Sequence, residues 1–258
     1  MVALDEPMDA ETLTEPPEGD GSEAAPRPGK LESVAGMLED ARRSLLAGGT
    51  TQSANVEGRV AATKFSDDMA GTAPRARLQT RGEIAVEKEL SPDFLLVAKH
   101  PVIFTALLDA LAPRFCVYAV IRNPLALLSS WQTVPLRVRD GHTIAERVDP
   151  KLRATLETTP DRIERQLHIL EWFFGRYRDH LPESRIIRYE AIVDSGGKAL
   201  SAITERAAAL DEPLESRNRG DVYDHATMRA LGERLLGTDG PYWSFYSRES
   251  VEELVQAR

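Results

Sequence analysis

Hydrophobic positions recurring every three or four residues predict four amphipathic helical segments. These are Leu31 to Asp40 (Leu31, Val34, Met37, Leu38), running on to a C-terminus at Gly48-Gly49, and a segment after Pro101 (Ile103, Leu107, Leu108, Leu111). The other two are Pro160 to Leu181 (Ile163, Leu167, Leu170, Phe174, Tyr177, Leu181), with Thr159 as N-cap, and Gly196 to Leu210 (Leu200, Ile203, Ala207). Two uninterrupted apolar runs, within Asp93 to Ala98 and from Cys116 to Ile121, predict strands buried on both faces of a parallel sheet. Alternation in Gly58 to Phe65 and in Gly82 to Glu89 predicts short strands in a hairpin. From Tyr223 onward the pattern predicts two amphipathic helices around Gly240-Pro-Tyr-Trp-Ser-Phe-Tyr.

The ends of the apolar runs carry the chemistry. Cys116 to Ile121 stops at Arg122-Asn123-Pro124, which places a cation at the carboxyl end of a strand, where open α/β sheets bind ligands. Asn123 as N-cap and Pro124 at the first helical position start a helix there, and a cation beside a helix N-terminus predicts an anion site. The plainer alternative is that Arg122 pairs with an acidic neighbour. The other run stops at Lys99-His100-Pro101. His100 has the intrinsic pKa of a general base, and a nearby ammonium favours its neutral form; the alternative is a structural histidine at a strand end.

These segments resemble the sulfotransferases that use 3′-phosphoadenosine-5′-phosphosulfate (PAPS). In that family a strand ends in Arg-Asn-Pro or Arg-Asp-Pro, with a Ser eight residues after the Arg; here the pair is Arg122 and Ser130. Seven residues of helix make close to two turns, so Ser130 shares the face of Asn123, while Ser129 lies about 100° away. Lys99-His100-Pro101 resembles the family's Lys-x-Pro element, and Arg185 to Val193 resembles its late strand and Tyr-Glu-x-Leu segment. Val2-Ala-Leu-Asp-Glu-Pro resembles its second strand, and Arg217-Asn-Arg219-Gly220 resembles an Arg-Lys-Gly that closes on the 3′-phosphate. The likeness covers Val2 to Leu210 and is specific from about Leu95.

The resemblance implies an α/β fold: a three-layer sandwich with a central, mostly parallel sheet, P-loop NTPase-like. It implies transfer of a sulfuryl group from PAPS, without a metal, to a hydroxyl or amine of a small-molecule or carbohydrate acceptor. Arg122 and Ser130 then hold the 3′-phosphate and Tyr189 meets the adenine, while Glu190 is structural. His100, Lys99 and Glu6 share proton removal and charge neutralisation, with His100 or Glu6 as the base. The family's Arg-Ser-Gly-Thr-Thr phosphosulfate loop does not occur in this sequence. Arg43-Ser44 and Gly48-Gly49-Thr50-Thr51 imitate it, but they follow a helical pattern where the loop needs a strand. The fold is therefore expected to be N-terminally incomplete. Either the chain starts after a strand–loop–helix unit of a longer protein, or it is a degenerate member that binds adenosine 3′,5′-bisphosphate without transferring sulfate. No Gly-x-x-x-x-Gly-Lys-Ser/Thr is present to support a kinase.

Composition fits one domain over 1–258, with 42% hydrophobic residues among 258. Within it, 11–30 reads as an acidic flexible loop, 53–91 as an insertion or lid, and 221–258 as a C-terminal helical segment. The net charge is −9, of which −6 falls in the first 30 residues, so broad nucleic-acid binding is not expected, while a local basic pocket is compatible. Arg75, Arg77 and Arg81 read as a solvated loop or as the lid. Tyr242, Trp243, Phe245 and Tyr246 either line an acceptor pocket or pack the last helix. Cys116, the single cysteine, is expected to be a reduced core residue. The sequence shows no membrane-spanning run and no signal peptide, and a cytoplasmic location is expected.

Overall fold

The computed structural model describes residues 1–9, 28–61, 63–67, 73–219 and 223–256. Its strands are β1 (Val2–Asp5), β2 (Thr50–Asn55), β3 (Thr80–Ala85), β4 (Leu96–Lys99), β5 (Ala119–Ile121) and β6 (Ile186–Arg188). Its α-helices are α1 (Pro28–Gly48), α2 (Pro101–Ala106), α3 (Leu108–Leu111), α4 (Pro124–Gln132) and α5 (Pro150–Thr158), then α6 (Arg162–His180), α7 (Tyr189–Asp194), α8 (His225–Leu236) and α9 (Arg248–Gln256). The chain is α/β, with two parallel strand pairs. β1 lies beside β4 with Asp5 opposite Lys99, and β5 lies beside β6 with Ile121 opposite Arg188. β2 and β3 form an antiparallel pair with Thr50 opposite Ala85.

Among the described residues these remain three two-stranded sheets, where a single central sheet is expected from the sequence. The expected burial on both faces differs too. The apolar run from Cys116 packs through one face only: Ala119 and Ile121 are buried, whereas Val120 is 54% exposed. Cys116 lies ahead of the ladder and is exposed, which corrects its expected place in the core.

The main hydrophobic core forms around β5 and α4. Ile121, Leu125 and Leu128 meet Ile169, Leu170 and Phe174 of α6, and burying each such side chain contributes about 1.5–3 kcal/mol. Asn123 caps α4, its Oδ1 accepting from the Leu125 and Ala126 N–H groups, and Pro124 follows as read from the sequence. α8 can press onto α4 because Gly232 has no side chain; a Cβ there would sit 2.5 Å from Val255 and 3.3 Å from Leu125. α6 starts two residues later than expected, since Asp161 rather than Thr159 accepts from the Glu164 N–H. Tyr242 is fully buried and stands edge-on to Phe174, with centroids 6.0 Å apart, so it packs the last helices and does not line a pocket.

Two smaller clusters share α1. Ala41 and Leu45 join Val2, Leu4, Ile84 and Phe94, whereas Val34 joins Ile103, Leu107 and Leu111. Arg42 fastens α1 to the entry of β4 by donating to the Pro92 and Phe94 carbonyls above the Phe94 ring. α1 ends at Gly48, and Gly49 takes a left-handed φ of 69°.

The expected helix after His100 is split at Leu107. Arg176 donates to the Thr105 and Ala106 carbonyls, which satisfies the end of α2 and holds the break. Gly196 to Leu210 is not an α-helix. It forms two short 3₁₀ segments, Lys198–Ala202 and Glu205–Ala209, in which Ala207 is the buried residue. The hairpin pairs Thr50–Asn55 with Thr80–Ala85, while Gly58 to Phe65 contributes isolated bridges. Most of the expected acidic loop lies outside the described residues. Among the described residues, no helix is long and apolar enough to cross a membrane.

Candidate functional site

Two clusters of polar side chains sit at the carboxyl ends of the two parallel pairs. At the end of β5, Arg122 stands over the ring of Tyr189, 5.2 Å from its centroid, beside the start of α4. Its Nε donates to Asn218 Oδ1 at 2.7 Å, and its Nη2 donates to the Arg217 carbonyl and, at 3.3 Å, to the Tyr223 hydroxyl. The expected acidic partner is therefore not what holds it.

A carboxylate stands one residue further out. Glu190 Oε1 accepts from the Asn123 backbone N–H at 2.9 Å and from Asn218 Nδ2 at 2.7 Å, and Oε2 accepts from the Tyr246 hydroxyl at 2.8 Å. Burial, with Glu190 beside it, pushes the Tyr246 phenol far above its ordinary pKa, so it remains a donor. Arg188 lies over the Tyr246 ring at 5.2 Å. The Tyr189 hydroxyl accepts from the Arg217 N–H at 2.9 Å. Ser130 is partly buried, and its hydroxyl has no hydrogen-bond partner among the described residues; neighbouring Ser129 is buried with an unpartnered Oγ.

The second cluster is made of charges. Asp5, 4% exposed, receives Gln79 Nε2 at 2.9 Å on Oδ2, and on Oδ1 it meets Lys99 Nζ at 3.0 Å and Lys64 Nζ at 3.3 Å. The two ammonium groups pair with Oδ1 as charges, without the geometry of a good hydrogen bond. Burial alone would raise the Asp5 pKa; the Gln79 amide and the two lysines outweigh it and hold the carboxyl below its usual range. Ser53 on β2 completes the support, accepting from the Asp5 N–H at 3.0 Å and donating to its carbonyl at 3.1 Å.

Glu6 follows in a left-handed conformation, φ 43°, which is costly for a residue with a side chain. It is held by three contacts: its N–H on the Lys99 carbonyl, its carbonyl on Arg81, and its carboxylate on Lys64. His100 is 6% exposed, and its Nδ1 is buried without a partner. Burial lowers its pKa more than Glu6 and the Met8 backbone raise it, with Lys64 and Arg81 acting in the same direction as burial, so the imidazole is held neutral. The site thus offers a neutral imidazole, two ammonium groups and a strained carboxylate, groups able to accept a proton and to neutralise an anionic oxygen.

One ribbon touches both clusters. Residues 63–66 run antiparallel to 76–79, bonded by Leu78 N–H to the Lys64 carbonyl and by the Phe65 and Arg77 bridge. At one side the ribbon sets Lys64 and Gln79 on Asp5. At the other, Arg75 N–H bonds the Thr133 carbonyl past the end of α4, and Asp67 pairs with Arg217 at 2.7 Å.

Of the residues named from the sequence, the fold brings Glu6, Lys99 and His100 to one strand edge and sets Arg122 with Tyr189 at the other; Ser130 is not tied to either. Asn218, from the Arg217-Asn-Arg219 motif, does reach Arg122. Asp5, Lys64 and Gln79 were missed; Asp5 sits beside the Glu6 that was named, and no periodic signal marks Lys64 or Gln79. Among the described residues no group of His, Cys, Asp and Glu is arranged to hold a metal. Neither protein-family models nor curated proteins nor solved structures yield a match to this chain.

Proposed function

We propose that this chain binds the adenosine 3′,5′-bisphosphate portion of PAPS and belongs functionally with the sulfotransferases. The observation that carries this reading is the Arg122 site: a guanidinium at a parallel strand end, beside an N-capped helix and over a tyrosine ring. That arrangement suits a phosphate attached to an aromatic base. Arg122 would pair with the 3′-phosphate and Tyr189 would meet the adenine. In transfer, the acceptor oxygen or nitrogen attacks sulfur as the sulfur–oxygen bond to the 5′-phosphate breaks, and the acceptor proton passes to His100 or Glu6. Lys99 or Lys64 would neutralise the departing phosphate.

A second reading, a nucleotide-binding domain without turnover, draws on one feature of the geometry. Lys64, Lys99 and Glu6 are already neutralised by internal ion pairs with one another and with Asp5, so little charge is left over for a substrate.

The test is calorimetry with adenosine 3′,5′-bisphosphate and adenosine 5′-monophosphate. Arg122→Ala is expected to weaken the first by roughly ten- to a hundredfold and the second far less, because a charge-assisted contact is worth about 1.5–3 kcal/mol. Equal losses for both nucleotides would mean that Arg122 supports the fold and does not read the 3′-phosphate. Sulfate transfer from PAPS by this chain would decide between the two readings.

A further inference from the structure

The fork of Arg122 already holds two oxygens along one edge, with the Tyr223 hydroxyl as a third partner on Nη2. Nε on Asn218 Oδ1 and Nη2 on the Arg217 carbonyl use one edge of the guanidinium, the edge whose parallel N–H groups receive the paired oxygens of a phosphate or carboxylate. The Asn218 amide cannot turn its NH₂ toward Arg122, because that NH₂ is spent on Glu190, itself fixed by the Asn123 N–H and the Tyr246 hydroxyl. The side chain is thus locked with its oxygen on the cation.

The segment carrying these oxygens is weakly anchored. Residues 211–217 and 219 are exposed, and Asn218 alone is buried, 6% exposed. Beyond Arg122 and Glu190, its ties near this point among the described residues are the Tyr189 hydroxyl, which accepts from the Arg217 N–H and donates to the Glu215 carbonyl at 3.4 Å, the Asn218 N–H to Ser216 Oγ at 3.3 Å, a solvent-facing Arg217–Asp67 pair, and Arg219 on the Glu253 carbonyl at 3.4 Å. Few buried contacts mean a low cost of local opening.

We infer that Arg217-Asn218 is a built-in competitor for the oxyanion seat of Arg122, so that a ligand presenting two oxygens on one phosphorus or carbon must displace it to bind through this edge. The identity of that ligand as a 3′-phosphate rests on the function proposed above; the competition itself does not. Neutral oxygens are exchanged for charged ones on the same donors, which favours the ligand, while the seated fraction of the segment lowers apparent affinity in proportion.

Two probes separate the claims, adenosine 3′,5′-bisphosphate and inorganic pyrophosphate, titrated at constant ionic strength. Asn218→Ala is expected to bind each at least about threefold tighter than the unmodified chain, since one competing hydrogen bond is gone. Asp67→Asn, at an exposed position, loosens the Arg217 anchor and should act in the same direction by less. Either probe should also speed trypsin cleavage after Arg217 severalfold, as its carbonyl leaves Arg122. Equal or weaker binding of the bisphosphate by both variants, or protection of Arg217 by it, would overturn the competitor and leave the nucleotide reading standing. Pyrophosphate tightened by the variants with no binding of the bisphosphate would uphold the competitor and remove the nucleotide reading. Binding of neither probe to any of the three proteins would overturn both.

Discussion

The two parallel pairs hold charge at their carboxyl ends in opposite ways. At β5–β6, Arg122 and Glu190 are each surrounded by neutral donors and acceptors, with Asn218 between them, and the pair rests on the largest hydrophobic cluster. At β1–β4, Asp5, Glu6, Lys64 and Lys99 neutralise one another over a small cluster, and three buried polar atoms there, Asp5 Oδ1, Gln79 Oε1 and His100 Nδ1, lack a hydrogen bond. A cation framed by neutral groups keeps its field for a ligand, whereas a cation paired internally spends it. The first arrangement suits recognition; the second suits groups that exchange protons or partners.

The largest expected contrast is in packing. Phe174→Ala, in the large cluster, should cost about 3–5 kcal/mol in urea unfolding, and Leu45→Ala, in the small one, about 2 kcal/mol. Equal losses would show that the two halves share one effective core. Next comes the charge network: Asp5→Ala strands the Gln79 amide and leaves Lys64 with Glu6 alone, and should cost about 2–3 kcal/mol, below the loss typical of a fully buried pair because Lys64 keeps one carboxylate and Lys99 is more than half exposed and can return to water. A loss under about 0.5 kcal/mol would mean that the ion pairs contribute nothing net.

Acidity should separate the halves further. His100 has a lowered pKa, so the unfolded chain binds its proton first: stability is intact above the ordinary histidine pKa of about 6.5 and declines as pH falls toward the lower folded value. Asp5 acts in a more acidic range. Its lowered pKa supports the fold above about 3.9, and that support is lost as pH falls through the folded value. His100→Gln should therefore flatten the change in melting temperature between about pH 7 and pH 5. An unchanged slope would assign it to other groups. The smallest effects belong to the serines of α4. Ser129→Ala removes an unpartnered buried hydroxyl and should be neutral or slightly stabilising, whereas Ser130→Ala should weaken adenosine 3′,5′-bisphosphate, by less than Arg122→Ala does. No change in affinity would leave Ser130 outside the site.

What was readable in the sequence differs between the same two regions. Asn123-Pro124 marked the start of α4, and the apolar stripe on α6 marked its buried face, because caps and 3.6-residue periodicity are local signals. β2 was not readable. Its buried positions are Thr51, Ser53, Ala54 and Asn55, three of them polar, with Ser53 bonded to Asp5, so no hydrophobic alternation announces it. Lys64 and Gln79 reach Asp5 from 59 and 74 positions away, contacts that only the fold creates. The length of β5 was overestimated for a related reason: an apolar run shows that residues avoid water, not which face has a neighbour. In Gly196 to Leu210 the spacing was helical, but with only Gly197 and the small Ala207 buried there is little packing to hold an α-helix there.

The exposure of Cys116 gives the chain a chemical handle at one known place. As the only thiol in the sequence, it limits disulfide cross-linking between identical copies to one product, a dimer joined ahead of β5. The same property allows a maleimide dye to be attached at a single position without altering any residue, just ahead of the strand that delivers Arg122. Its emission would report on whatever reaches the amino side of that strand, opposite the edge that carries Arg122.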